Sequence, residues 1–241
     1  MTANLAPTAV AATTSGKPLY DARGFWRILL AVLAPLPFLA KGIYYLFSPV
    51  DGDADFKTTV AAYQAHAQLV TALKYFDAVF LVLLIPATCA VVWIARRGAP
   101  RLTTAGAFIS LLGFFSGFAL LGGVETPALI VANYHLDPAV IGQVDQALMH
   151  DTFFGIASLV FIIGIVAGLG FLGAALWRSR YVAAWAGIAI MVGGITHPFV
   201  PGHVAQGIGL LVVTAGYTAV SVALLRMRND EFDLPPRPAG A

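Results

Sequence analysis

The chain has 241 residues, of which 59% are hydrophobic and only 11% are charged, and its mean hydropathy is +0.82. A soluble domain has roughly 45 to 50% apolar and about 25% charged residues, so this composition excludes an ordinary water-soluble fold. The net charge of +2 and the lack of any basic run indicate no nucleic-acid partner. The single cysteine, Cys89, excludes an intramolecular disulfide.

Several continuous apolar runs are long enough to cross a bilayer, which requires about 20 residues per helix. The runs do not alternate in hydrophobicity, and backbone groups in lipid must be satisfied internally, so helices are favoured over a β-barrel. We therefore predict an all-α integral membrane bundle over residues 23–226, flanked by a disordered N-terminal tail (1–22) and a C-terminal tail (227–241). The six predicted transmembrane helices cover about 26–47, 70–95, 104–126, 152–177, 181–198 and 204–225.

The third apolar stretch is too long for one straight span. From Thr104 to Tyr134 it covers about 31 residues, or roughly 46 Å at 1.5 Å per residue. Gly122, Gly123 and Pro127 are the expected break, because proline removes a helical hydrogen bond and clashes with the preceding turn.

The distribution of charge predicts the orientation, because short cytoplasmic loops carry an excess of Lys and Arg. With both termini in the cytoplasm, eleven of the fourteen basic residues lie inside and eight of the twelve acidic residues lie outside, giving net charges of +7 and −5. Five or seven helices would spoil this sorting. We therefore predict a multi-pass protein of the cytoplasmic membrane. The inner basic residues are Lys17, Arg23, Arg27, Arg96, Arg97, Arg101, Arg178, Arg180, Arg226, Arg228 and Arg237.

Ionisable side chains in the apolar helices fall near the predicted outer ends. A charged side chain costs about 2.5 to 3.5 kcal/mol at the bilayer centre, so each one needs a reason. Asp77 and Glu125 are the candidate catalytic residues, since Asp77 is too short to reach the interface and Glu125 lies at the interrupted third helix. Lys41 and Lys74 are candidate binding residues. Lys41 could instead extend along its stem to the interface, and the three-residue spacing of Lys74 and Asp77 predicts a simple local ion pair.

Aromatic residues complete the predicted site, with Tyr44, Tyr45 and Phe118 as binding residues. Aromatic faces can hold a cation, and carboxyl groups in a partly dry pocket can serve as general acids. The pattern predicts an outward-facing pocket that binds, and could transform by acid–base chemistry, a small lipophilic or cationic molecule. A proton-coupled carrier would use the same groups, although their position near one surface argues against alternating access. Simple packing would also produce aromatic residues at helical spacing.

All five histidines fall on the predicted outer side, which leads to a second hypothesis. His150, His197 and His203 lie at different helix ends and could hold zinc, or two of them could be axial ligands of a haem. The chain has no HExxH, no CxxC and no two histidines four residues apart, so the cofactor stays open.

A third hypothesis is a structural or regulatory subunit of a membrane complex, whose polar residues serve folding. Gly164 and Gly168 form a GxxxG spacing that allows close helix packing. A homo- or hetero-oligomer is compatible with this spacing, but in a chain with 24 glycines it does not indicate a dimer. The predicted partners are therefore the lipid bilayer and a small lipophilic ligand.

Overall fold

A computed structural model describes residues 21–121 and 125–233. Of these described residues 84% are helical and none lies in a strand, which confirms the all-α prediction. The elements are α1 (Arg23–Leu33), α2 (Leu36–Phe47), α3 (Phe56–Ala65), α4 (Ala67–Ala95), α5 (Pro100–Gly117), a 3₁₀ turn (Phe118–Leu120), α6 (Thr126–Tyr134), α7 (Pro138–His150), α8 (Thr152–Ile163), a π-helical segment (Gly164–Gly168), α9 (Leu169–Ser179), α10 (Ala184–Phe199), α11 (His203–Arg226) and α12 (Asn229–Phe232).

Five stretches within the described ranges are long and apolar enough to cross a membrane, which indicates a multi-pass membrane protein. They are α1 with α2, α4, α5 with its 3₁₀ turn, α8 with α9, and α11. They correspond to five of the six predicted ranges. The fifth predicted helix, 181–198, is the remaining one. It is present as α10 but has only 16 residues, about 24 Å, against a hydrocarbon core of about 30 Å.

Large apolar side chains lie both inside the bundle and on its surface. Leu84 and Leu172 are completely buried, whereas Phe108 and Phe153 are 70% and 71% exposed. An exposed apolar surface of this extent suits contact with lipid and not with water.

Helix α4 lies at the centre of the bundle and contacts α1, α2, α5, α9 and α11. Around it, α2 packs on α11, α11 on α10, α10 on α9, and the α8–α9 pair on α5. A Cβ atom added to Gly113 would lie 2.4 Å from the Cα atom of Gly164, so α5 and α8–α9 touch through their backbones. The GxxxG spacing therefore serves helix packing within this chain.

The interruption predicted in the third helix is present but begins earlier than expected. Helix α5 ends at Gly117, the chain continues as a 3₁₀ turn to Leu120, and α6 begins at Thr126 with Pro127 in its first turn. The predicted break residues Gly122 and Gly123 lie outside the described residues. Proline fits this position because the first turn of a helix needs no intrahelical hydrogen bond from its amide.

Helices α3 and α7 form in segments where no helix was predicted. Asp55 caps α3 by accepting a hydrogen bond from the amide of Thr58 at 2.8 Å, and Asp137 caps α7 by accepting one from the amide of Ala139 at 2.8 Å. The backbone and side-chain hydrogen bonds from Thr58 hold the pKa of Asp55 below its ordinary value. Together with α6, these helices cover one end of the bundle, where α3 and α6 share a small second core that includes Tyr63.

The other end of the bundle carries most of the basic residues. Arg27 at the start of α1 donates a hydrogen bond to the carbonyl oxygen of Leu225 at 3.0 Å, so α1 begins where α11 ends. Within the predicted C-terminal tail, α12 docks on α4, where Trp93 Nε1 donates to the carbonyl oxygen of Phe232 at 2.7 Å and the two rings stack 4.8 Å apart. That this basic end faces the cytoplasm stays a prediction.

Candidate functional site

A buried ion pair joins α2 to α4 inside the bundle. Lys41 Nζ lies 2.5 Å from Asp77 Oδ1, and the two side chains are only 10% and 16% exposed. Lys41 lies in the α1–α2 stretch and Asp77 in α4, both long enough to span a membrane, where an isolated charge is energetically costly. Pairing across two helices offsets part of that cost.

The partner of Asp77 differs from the one that spacing along α4 predicts. Lys74 Nζ instead donates a hydrogen bond to the carbonyl oxygen of Leu121 at 3.3 Å. The predicted Lys74–Asp77 ion pair is wrong, because α2 packs on α4 and brings Lys41 to the carboxylate. Lys74 has no carboxylate partner within the described ranges.

Three aromatic rings surround the ammonium group of Lys41. Its Nζ atom lies 4.0 Å from the ring centre of Tyr44, 4.9 Å from that of Tyr45 and 5.8 Å from that of Phe80. These distances fall in the range of cation–π attraction. The aromatic rings that could hold a cationic ligand are thus already occupied by a cation of the chain itself.

Glu125 enters the site from the interruption between α5 and α6. The hydroxyl of Tyr44 donates a hydrogen bond to Glu125 Oε2, so this carboxylate is directed toward α2 and does not cap α6. Tyr63 of α3 lines the same small void as Glu125 and Tyr44. Burial, reinforced by the negative charge of Glu125, raises the pKa of Tyr63 above its ordinary value. The Tyr63 phenol therefore stays protonated and remains a hydrogen-bond donor at neutral pH.

Tyr45 connects the site to two histidines. Its hydroxyl oxygen lies 3.2 Å from Nδ1 of His197 on α10, and its ring centre lies 4.7 Å from that of His203 at the start of α11. The backbone amide of His203 donates a hydrogen bond to Asp51 Oδ1 at 2.8 Å, which ties α11 to the loop after α2. The α10–α11 turn depends on Gly202, whose φ of 85° is a conformation that glycine adopts without strain.

The three predicted metal ligands do not form one centre. His150 is exposed at the end of α7, whereas His197 and His203 both contact Tyr45 inside the bundle. In the part of the chain that the structure describes, no group of three or more His, Cys, Asp or Glu side chains is arranged to hold a metal ion. Zinc or haem binding therefore stays a hypothesis without geometric support.

A cavity of about 240 Å³ lies among these polar groups. Asp77, Glu125, Lys41, Lys74 and Tyr45 all line it, so the structure brings five of the seven predicted catalytic and binding residues together. The other lining residues are His197, Phe80, Leu81, Gly117, Leu120, Leu121, Ser158, Phe161 and Ile162.

Two of the predicted residues lie outside the cavity lining. Tyr44 is not a lining residue, but it contacts two residues that are, Lys41 and Glu125. Phe118 begins the 3₁₀ turn and packs against the main hydrophobic core. Aromatic residues at helical spacing are more often packing residues than ligand contacts, and Phe118 takes the packing role.

Among the polar residues at or beside the cavity, two were not predicted from the sequence, Ser158 and Tyr63. Ser158 is the only polar side chain between Phe153 and Ile163, and a polar residue in an apolar span is the signal that could have identified it. Tyr63 lies in α3, which was not predicted. The sequence signal for this helix is Asp55 directly before the apolar Phe56, because aspartate is a common N-cap residue.

No protein-family model, no curated protein and no solved structure matches the chain. What the fold identifies is a multi-pass, all-helical membrane protein with a polar cavity among apolar helices.

Proposed function

We propose that this protein binds a small lipophilic molecule with a hydrogen-bonding head group in the cavity lined by Lys74, Glu125 and the Lys41–Asp77 pair. The observation that carries the proposal is four charged side chains around an open volume of about 240 Å³, among helices that are otherwise apolar. The positive-inside rule predicts that this site faces the outer side of the membrane, because most basic residues lie at the other end of the bundle.

The open volume favours a ligand site over a purely structural role. Replacing a buried ion pair by apolar residues is often neutral or stabilising, so charges are a poor way to hold helices together. Ionisable residues within membrane spans are rare and commonly mark binding or transport sites. A structural cluster would also be expected to fill its own volume, because protein interiors are close-packed.

The head group is expected to carry hydrogen-bond acceptors and not a positive charge. A cationic ligand would have to displace the Lys41 ammonium from the rings of Tyr44, Tyr45 and Phe80. Lys74, by contrast, has one hydrogen bond to a carbonyl oxygen and retains further donors, since an ammonium group has three. A carbonyl, hydroxyl or carboxylate oxygen would suit it.

The walls of the cavity restrict the rest of the ligand. Phe161, Leu81 and Ile162 provide apolar contacts beside the charged groups. Pockets for drug-sized molecules measure about 300–1,000 Å³, so a cavity of about 240 Å³ takes a smaller molecule or only one end of a longer one. Quinones, fatty acids and isoprenoid alcohols have the required combination of a small polar head and an apolar body.

The two carboxylates are better placed to orient a ligand than to give it a proton. Asp77 accepts from Lys41, and Glu125 accepts from Tyr44. His197 also lines the cavity, and its Nδ1 atom faces the hydroxyl of Tyr45. His197 and Tyr45 therefore add a hydrogen-bonding pair to the cavity wall.

A cavity-filling variant tests the site without changing any charge. Ser158→Leu adds volume to the cavity wall, and Leu159→Phe adds volume on the neighbouring side chain, which is 58% exposed. The assay is thermal stabilisation of the purified protein by quinones, fatty acids, isoprenoid alcohols and quaternary ammonium compounds. A ligand at 100 times its Kd stabilises by about 2.7 kcal/mol, or about 5–11 °C for a chain of this size. Ser158→Leu should abolish that shift, and Leu159→Phe should keep it.

The lysine that contacts the head group is tested with a matched pair. Lys74→Gln removes the charge in the cavity, and Lys57→Gln removes an exposed one. Only Lys74→Gln should weaken binding of the ligand found in the screen. A full shift in Ser158→Leu, or stabilisation by quaternary ammonium compounds alone, would rule out the site as proposed.

A further inference from the structure

A second and larger cavity lies at the basic end of the bundle, opposite to the cavity described above. This groove of about 900 Å³ runs between the end of α4, the start of α10 and the last three turns of α11. Arg97 and Arg226 lie at its charged end, Tyr181 and Trp185 form one side, and α11 forms a floor that includes Ala219 and Val222.

Two arginines and one glutamate line this groove, so its charges are not balanced among the described residues. Neither Arg97 nor Arg226 forms an ion pair within the described ranges. Arg97 donates one hydrogen bond to the backbone carbonyl of Asp233 at 3.2 Å, and its buried Nε atom has no partner among the described residues. The one carboxylate of the lining, Glu231, accepts a hydrogen bond from the amide of Arg228 at 2.8 Å. An anion placed between the two arginines would find donors that are still free.

The remainder of the groove has the character of a membrane interface. Tyr181 and Trp185 are 50% and 53% exposed, and such aromatic residues concentrate where the hydrocarbon core meets the head groups. From Arg226 back to Ala215 the groove follows α11 for roughly 16 Å, along mostly small, apolar side chains. This length could accommodate part of an acyl chain and far exceeds what a phosphate ion needs.

We propose that this groove binds an anionic phospholipid, whose phosphate lies between Arg97 and Arg226 and whose acyl chain follows Ala219 and Val222 along α11. Guanidinium groups form forked hydrogen bonds that match phosphate oxygens. Basic pockets between transmembrane helices are the usual places for such lipid head groups. This lipid would be a bound component of the protein, distinct from the ligand of the polar cavity.

The test compares phosphatidylglycerol with phosphatidylcholine of the same acyl chains, added to the purified full-length protein in detergent. Arg97→Gln/Arg226→Gln removes both proposed phosphate ligands. Arg101→Gln is the control, because Arg101 is an exposed arginine at the same end of the bundle and does not line the groove. Each variant is compared with its own melting temperature in phosphatidylcholine, so a change in basal stability does not obscure the result. Native mass spectrometry, which counts retained lipids, is the second measurement.

We expect phosphatidylglycerol to stabilise the wild type more than phosphatidylcholine and to be retained in a stoichiometric amount. In Arg97→Gln/Arg226→Gln its apparent affinity should fall about tenfold or more, since hydrogen bonds to charged groups are lost, whereas Arg101→Gln should behave as the wild type. Ala219→Phe should reduce retention by narrowing the acyl track. An unchanged preference in the double variant would overturn the proposal, and so would inorganic phosphate reproducing the full shift, which would indicate a free-anion site.

Discussion

Removing one partner of the Lys41–Asp77 pair should destabilise the protein far more than replacing both. Breaking a buried ion pair costs about 3–5 kcal/mol, whereas replacing both partners by apolar side chains is often neutral or stabilising. With side chains only 10% and 16% exposed, solvent screening does little to reduce this effect. We therefore expect each single variant to lose several kcal/mol, and Lys41→Met/Asp77→Leu to lose less than about 2 kcal/mol.

The aromatic surroundings predict which single variant is worse. In Asp77→Leu the unpaired ammonium of Lys41 retains its cation–π contacts with Tyr44 and Tyr45. Such attraction is worth about 2 kcal/mol in a desolvated site. In Lys41→Met the carboxylate of Asp77 loses its ion pair, and aromatic ring faces do not attract a carboxylate. Asp77→Leu should therefore cost about 3 kcal/mol and Lys41→Met about 5 kcal/mol, or roughly 6–20 °C in melting temperature across the two variants.

The assay is unfolding in mixed detergent–SDS micelles, followed by the fluorescence of the four tryptophans. The free energies of the wild type, both single variants and the double variant give the coupling energy directly. Lys57→Met and Asp53→Leu, both exposed in the loop and helix between α2 and α4, form the control pair and should show no coupling. The reasoning is refuted if the loss in the double variant equals the sum of the two single losses.

Three further predictions concern packing, capping and orientation. Gly113→Ala should cost about 1–3 kcal/mol by overpacking, because its Cβ would lie 2.4 Å from a backbone atom of the facing helix. Gly170→Ala, which has open space around its Cβ, should not destabilise the protein. Thermal unfolding of both variants tests this difference. Because its pKa is depressed in the folded protein, Asp55 stabilises α3 above about pH 3.9, and that stabilisation is lost as the pH falls through the lower folded value. Hydrogen exchange of α3, corrected for intrinsic rates, should show this loss in the wild type, while Asp55→Ala should exchange fast throughout; equal protection in both proteins would argue against the cap. In a cysteine-free background, a membrane-impermeant maleimide added to intact cells should label Asp53→Cys and spare Arg178→Cys, and the reverse pattern would invert the predicted orientation.

Much of the helical architecture could be predicted, because spans of apolar residues leave the chain few alternatives in a membrane. The predicted ranges 152–177 and 204–225 differ by two residues or fewer at each end from Thr152–Ser179 and His203–Arg226. Helix α10 was also predicted, but its 16 residues are fewer than the roughly 20 that a transmembrane helix requires. The peripheral helices α3 and α7 were missed because their stability depends on aspartate caps and on packing against other helices, which hydropathy does not report.

The residues of the candidate site could be predicted from the sequence, but the contacts that they form with one another could not. Asp77, Glu125 and Lys41 could be identified because a charged side chain in an apolar helix has a high free-energy cost wherever it lies. Spacing then suggested Lys74 as the partner of Asp77, and this was wrong, since the choice depends on which helix packs beside α4.

The sequence by itself determined that this is a helical membrane protein with few charges in its spans, because hydropathy and length act locally along the chain. Only the tertiary structure decided that Lys41 pairs with Asp77, that Tyr44 binds Glu125 and that a cavity stays open among them. The physical reason is that each of these contacts joins helices distant in sequence, and helix neighbours are chosen by shape, as where glycines let α5 approach α8–α9.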